Sequence, residues 1–318
     1  MARIAFTFPG QGSQRPGMGA PFTGTPGWSL VDRAGEALGR DLGRLLTEAD
    51  AEELRTPREA QLSTYLTSLL VLDALCGQRA PAELGVVAVA GHSLGEYTAL
   101  VAAGVLTPDE GVRLVSERGE AMQAAARDRP GAMAAVLGAA EDVVERVCAE
   151  ARASGAQVWP ANDNGPGHVV ISGTAEGIEA VREPLAAAGA RRVLAIPVGG
   201  AYHTPLMAPA QQRLDAALDA APYAEARLPV TTNVDACPHT AAADWRGLLS
   251  AQLTSPVRWR QSLAVLAADG VTALVEVGPG GVLTGLAKRG APGVAAYAVA
   301  TPEDAADVRR ALAEAASS

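Results

Sequence analysis

The chain has 318 residues, 48% of them apolar and 19% charged, with a net charge of −9 and a pI near 5.0. That is enough apolar material for a large core, with one large domain and a smaller companion as the expected division. The acidic balance excludes a phosphate backbone as a natural partner, and no apolar run reaches the ~18 residues of a membrane helix.

The opening residues MARIAFTFPGQG hold too short an apolar block for a signal peptide. Cys76, Cys148 and Cys237 are odd in number, widely separated and in no metal-ligand spacing, so they read as thiols of a reduced compartment. A soluble, cytoplasmic protein is expected. Lys288 is the only lysine and alanine is abundant, which suggests a GC-rich bacterial genome.

Short β-rich runs alternate with longer helical patterns, which predicts an α/β fold with a mainly parallel sheet. Arg3–Phe8 reads as a strand ending in the loop Pro9-Gly10-Gln11-Gly12-Ser13-Gln14. Val86–Ala90 is continuously apolar, as a strand covered on both faces should be. Thr107-Pro108-Asp109-Glu110 is a capping box with proline at the first helical position, opening a helix to about Ala125. The middle third then reads strand Ala132–Leu137, helix Glu141–Ala153, strands Gln157–Ala161 and His168–Ser172 around an Asn/Gly/Pro turn, helix Ala175–Ala188 and strand Arg191–Val198. That βαββαβ order is the ferredoxin-like unit. It predicts a small domain over residues 132–197, inserted into a discontinuous large domain formed by 1–131 and 198–318, with a ligand cleft between them.

Gly91-His92-Ser93-Leu94-Gly95 fits the G-x-S-x-G elbow and stands where that motif belongs, after a buried strand and before the helical run Glu96–Ala103. A sharp turn there lifts the Ser93 hydroxyl above the sheet and leaves the Leu94 N–H free as an oxyanion donor; the plain alternative is a glycine-bounded turn with an incidental serine. A serine nucleophile needs a base, and the chain has four histidines. His92 adjoins Ser93 in the elbow, His168 opens a strand of the small domain, and His239 lies in a turn. His203, beyond the strand Arg191–Val198 and two glycines, is left by elimination, at the strand end where open α/β sheets place their sites. Arg118 sits among Leu114, Val115 and Met122 on the apolar side of its helix. A guanidinium there either snorkels, pairs structurally or holds an anion, and a carboxylate suits it best.

Together these residues resemble the malonyl-CoA:acyl carrier protein transacylase family, including the acyltransferases of polyketide synthases. The match runs in order through FPGQGSQ (Phe8–Gln14), GHSLGEY (Gly91–Tyr97), RLVSERG (Arg113–Gly119), NDNGPGHVVISG (Asn162–Gly173), AYHTPLM (Ala201–Met207), QLTSPVRW (Gln252–Trp259) and EVGPGGVLTGL (Glu276–Leu286). The resemblance implies an α/β-hydrolase-like large domain with a ferredoxin-like small domain. It implies Ser93 as the acylated nucleophile and His203 as its base, with the backbone N–H groups of Gln11 and Leu94 as the oxyanion hole. Arg118 would hold the free carboxylate of the malonyl group, a backbone carbonyl at Gln252 would orient the histidine, and Asn162 would lie near the site. Leu94 and Tyr202 are the positions that bear on the extender unit. An aliphatic residue at the first and a ring at the second accord with malonyl selectivity, and Tyr202 inclines the reading towards a free-standing polyketide-type enzyme.

The expected reaction is ping-pong transfer from malonyl-CoA to the phosphopantetheine thiol of an acyl carrier protein, by a monomer with no metal, nucleotide or redox cofactor. Arg191, Arg192, Lys288 and Arg289 are candidate contacts for the acidic carrier. The alternatives are an editing acyl hydrolase on the same fold, an acyltransferase for a substituted malonyl unit, or an inactive scaffold.

Overall fold

A computed structural model describes residues 3–77 and 79–317, with side chains to residue 311. Ten strands lie among these residues: β1 (Ile4–Phe8), β2 (Val86–Gly91), β3 (Ala132–Leu137), β4 (Val158–Gly165), β5 (His168–Gly173), β6 (Arg192–Ile196), β7 (Val230–Thr231), β8 (Pro238–His239), β9 (Ala273–Val277) and β10 (Ala295–Val299). They form a six-stranded sheet in the order β10-β9-β1-β2-β7-β8 and a four-stranded sheet in the order β4-β5-β3-β6. The first is parallel except for β8. The second is antiparallel throughout.

β1 runs through the middle of the large sheet and every one of its residues is buried. Its side chains alternate between faces, as a strand's must. Ile4, Phe6 and Phe8 enter the larger core with the helices Pro57–Cys76 and Pro108–Asp128. Ala5 faces the other core, with Trp259, Leu263 and Leu274. Burial on both faces explains why β1 and β2 carry no polar–apolar alternation in sequence.

The small sheet uses the same alternation for a different end. Ala134 and Val136 of β3 and Val169 and Ile171 of β5 pack under the helices Glu141–Ala153 and Ala175–Ala187. Met133 and Val170, on the opposite face, join the large core and line the cleft. The small sheet is therefore a roof, with its helices outside and its other face over the end of β2.

The α/β class and the βαββαβ order agree with the sequence reading, but two local expectations are corrected. β4 continues through Asn162–Gly165, residues read above as a turn, because it stays paired with β5 as far as His168 and its far end also meets the large body: Asp163 N–H donates to the Val257 carbonyl and Val257 N–H to that of Ala161, at 2.9 and 2.8 Å. β6 stops at Ile196 and belongs to the antiparallel sheet, so His203 does not follow a strand of the parallel sheet. It lies on the loop before the turn of 3-10 helix Pro205–Met207.

Candidate active site

The elbow is built by close packing of backbone. β2 ends at Gly91 and the helix Gly95–Ala102 begins four residues later. A Cβ on Gly91 would overlap the Gly95 backbone, and one on Gly95 would overlap the Phe8 carbonyl. Only glycine allows helix, β1 and β2 to meet so tightly. Ser93, between them, has φ 52°, a left-handed conformation that is costly for a residue with a Cβ. His203 is also left-handed, at φ 60°. Such outliers persist where the surroundings over-determine them, and here the two face each other.

Ser93 Oγ lies 2.8 Å from His203 Nε2. His203 Nδ1 is 2.9 Å from the Gln252 carbonyl and 3.2 Å from that of Ser255. Because carbonyls only accept, Nδ1 carries the proton and Nε2 presents its lone pair to the serine. Burial, followed by the Arg118 charge, pushes the imidazole down to about 3 from its ordinary 6.5. It is neutral at pH 7, the state a base needs.

Arg118 is 1% exposed. Its Nη1 donates to Gln61 Oε1 at 2.8 Å, and its Nη2 to Gln252 Oε1 at 2.9 Å and to Ser93 Oγ at 3.0 Å. The guanidinium also lies 5.6 Å from the centre of the Tyr97 ring. Among the described residues no carboxylate pairs with it directly. The Gln252 amide is turned so that its oxygen faces Arg118, because its Nε2 donates to Ser93 O at 3.0 Å and to Glu96 Oε2 at 2.8 Å. Glu96 is wholly buried, and burial pushes its carboxyl up to about 7.

The cleft over Ser93 has a volume of about 220 Å³. Its floor and walls include Gln11, His92, Ser93, Tyr202 and His203, and Asn162, Met133 and Val170 roof it from the small sheet. Gln11 and Leu94 N–H have no acceptor among the described residues. Leu94 itself is 1% exposed and sits in the core. His92 points away from Ser93, with Nε2 2.8 Å from Asn164 Oδ1 and its ring edge-on to Trp259. His239 is engaged elsewhere, held between Asp235 and Asp244. The structure thus brings together every site residue singled out from sequence.

Sequence reasoning missed Gln61, Glu96, Asn233 and the side chain of Gln252. Gln61 is one of several polar residues buried along the helix Pro57–Cys76, which has no polar face to mark it. Asn233 Oδ1 accepts the Ser93 N–H, and its Nδ2 donates to the Gly91 carbonyl. It follows β7, so the rule that sites gather at the carboxyl ends of parallel strands would have found it had that two-residue strand been legible.

A serine on a strand–turn–helix elbow, with a histidine from a distant loop on its hydroxyl, is the layout of serine hydrolases and acyltransferases of α/β-hydrolase type. Residues 5–312 match the family model for the acyl transferase domain, and the chain belongs to that family. It is 43% identical over 307 residues, 95% of each chain, to a malonyl CoA-acyl carrier protein transacylase of Bacillus subtilis. It is 42% identical over 295 residues to the protein of that name from Escherichia coli, covering 91% of this chain and 93% of that one. Among solved structures, the malonyl-CoA:acyl carrier protein transacylase of Xanthomonas oryzae is 41% identical, with a TM-score of 0.90 and 98% of both chains covered. A malonyl-transacylase solved with its type II polyketide synthase acyl-carrier protein is 36% identical, with a TM-score of 0.90, covering 98% of this chain and 100% of that one.

Proposed function

We propose that this chain transfers a malonyl group from malonyl-CoA to the phosphopantetheine thiol of a separate acyl carrier protein, through an O-malonyl ester on Ser93. The observation that carries the reading is Arg118. A buried guanidinium whose hydrogen bonds go only to neutral amides and the nucleophile is expensive, and a substrate carboxylate would complete it through two parallel hydrogen bonds. Only an acyl group ending in a carboxylate places such a group within reach of a carbonyl at Ser93.

His203 Nε2 takes the Ser93 proton as Oγ attacks the thioester carbon. The Gln11 and Leu94 N–H groups receive the developing oxyanion. The tetrahedral intermediate collapses, the carbon–sulfur bond breaks, and the imidazolium proton goes to the departing coenzyme A thiolate. In the second half the carrier thiol gives its proton to His203 and attacks the ester. Carbon–oxygen cleavage then returns the proton to Ser93. Every proton and charge is handled by the chain's own groups, which is the reading under which no metal or redox cofactor enters. The carboxylate on Arg118 also offsets the charge that depresses His203, so the base strengthens as the correct substrate binds.

Asn162 and Tyr202 would shape the acyl pocket, and Tyr202 supports a trans-acting role in polyketide synthesis. The exposed Arg191, Arg192, Lys288 and Arg289 would receive an acidic carrier, and Arg289 acts electrostatically on His168 of the cleft wall. A monomeric, cytoplasmic enzyme is part of the proposal, as is the division into a large domain of 1–131 and 198–318 and a small one of 132–197. The Gly131 N–H donates to the Gly199 carbonyl where the two crossings would lie side by side.

The test uses radiolabelled malonyl-CoA and holo-carrier protein. Label on the carrier is expected. Free malonate instead would make the chain an editing hydrolase, and neither product would make it a scaffold.

A further inference from the structure

Asn233 is 1% exposed and stands just beyond β7, whose Val230 and Thr231 pair with Val89 and Ala90 of β2. The chain therefore leaves the parallel sheet beside the strand that carries the elbow. Its carboxamide spans the turn: Oδ1 accepts the Ser93 N–H and Nδ2 donates to the Gly91 carbonyl, both at 2.6 Å. An N–H only donates and a carbonyl only accepts, so one amide in one orientation satisfies both. A carboxylate could satisfy only the first.

Apart from the free Leu94 N–H, the neighbouring elbow N–H groups have partners of their own. His92 N–H donates to the Phe8 carbonyl and Gly95 N–H to that of His92. The main chain of Asn233 reaches the segment beside the base as well. Its N–H donates to Glu96 Oε2 at 3.2 Å. Its carbonyl accepts from Arg258 N–H at 3.0 Å, three residues after Ser255, whose carbonyl faces His203 Nδ1. One residue is thus fastened to the nucleophile's turn and to the segment that orients the imidazole.

We propose that Asn233 is a positioning residue for acyl transfer. Its carboxamide holds Ser93 in the left-handed conformation that puts Oγ within reach of His203 and leaves Leu94 N–H free. This rests on Ser93 being the nucleophile. It predicts an effect on the reactivity of the serine rather than on substrate affinity, because Arg118 and Gln61 are untouched.

The test compares wild type with Asn233→Asp and Asn233→Ala in two reactions: single-turnover acylation by malonyl-CoA, and inactivation by a small fluorophosphonate that has no carboxylate for Arg118. Misplacing a reacting atom by an ångström costs about 10²-fold, so both rates should fall by about that factor in folded variants, with KM for malonyl-CoA within about twofold. Folded variants within about threefold of wild type in both reactions would overturn the proposal. So would a loss confined to malonyl-CoA, which would put Asn233 in the acyl pocket instead. If neither variant folds, hydrogen exchange of the wild-type Asn233 side-chain amide decides: protection supports the clamp, and free exchange refutes it. Should malonyl-CoA fail with wild type while the fluorophosphonate still labels Ser93, the functional reading fails and the clamp is still tested by the second reaction.

Discussion

Arg118 Nη2 donates to Ser93 Oγ at 3.0 Å, so the guanidinium rests on the hydroxyl that we propose is acylated. In the proposed reaction the incoming carboxylate draws that charge off the nucleophile and onto itself. Arg118→Ala should therefore lose about 3–5 kcal/mol in malonyl transfer, the usual cost of stranding one member of a buried pair. That is roughly two to four orders of magnitude in kcat/KM. Acetyl transfer should improve relative to malonyl. Steady-state rates with malonyl-CoA and acetyl-CoA measure both, and an unchanged ratio would count against the clamp.

Burial and, after it, the same charge set the acid side of the pH profile. Burial is the larger cause of the depressed His203 and Arg118 the second. With its folded pKa near 3 and an ordinary value of 6.5, the unfolded chain binds the extra proton between those limits. The stability this gives is complete above pH 6.5 and is lost as pH falls through that window. Wild-type kcat/KM should hold from pH 7 down to 5 without an imidazole limb. In Arg118→Ala, assayed with acetyl-CoA, that limb should move up in pH, and an unmoved limb would deny the coupling.

Glu96 carries the opposite sign. Burial raises its carboxyl from 4.5 to about 7, so the folded state binds the extra proton and stability falls as pH rises through that interval. Glu96→Gln removes the ionisation. The stability of wild type minus that of the variant should drop by about 3 kcal/mol between pH 4.5 and 7. Urea unfolding at pH 5 and pH 8 measures it, and a constant difference would mean that the carboxyl is not perturbed.

Tyr202 is 5% exposed and lines the cleft beside His203. Tyr202→Ser should admit methylmalonyl-CoA better than wild type does, at some cost in stability from the cavity left behind. Competition between the two thioesters reports it. No gain would mean that the ring does not bound the space at the malonyl C2.

How much of this was legible depended on whether the signal was local. The elbow could be read because Gly91, Ser93 and Gly95 announce a strand–turn–helix within five residues. The helix at Thr107 could be read because its capping box is complete in sequence, and both of its hydrogen bonds form. His203 was reached by elimination among four histidines, although the strand before it belongs to the other sheet. What stayed hidden is held by long-range contact. The far end of β4 exists as a strand through its pairing with β5 as far as His168 and its added bridge to Val257. Gln61, Glu96 and Asn233 sit among buried neighbours of every polarity, and no periodicity separates an amide that grips the elbow from one that fills a core.

The most direct measurement is the intact mass of wild type and Ser93→Ala after brief exposure to malonyl-CoA without carrier protein. The account predicts one added malonyl unit on wild type, located on Ser93 by fragmentation, and none on the variant. A malonyl adduct of equal yield on Ser93→Ala would contradict it.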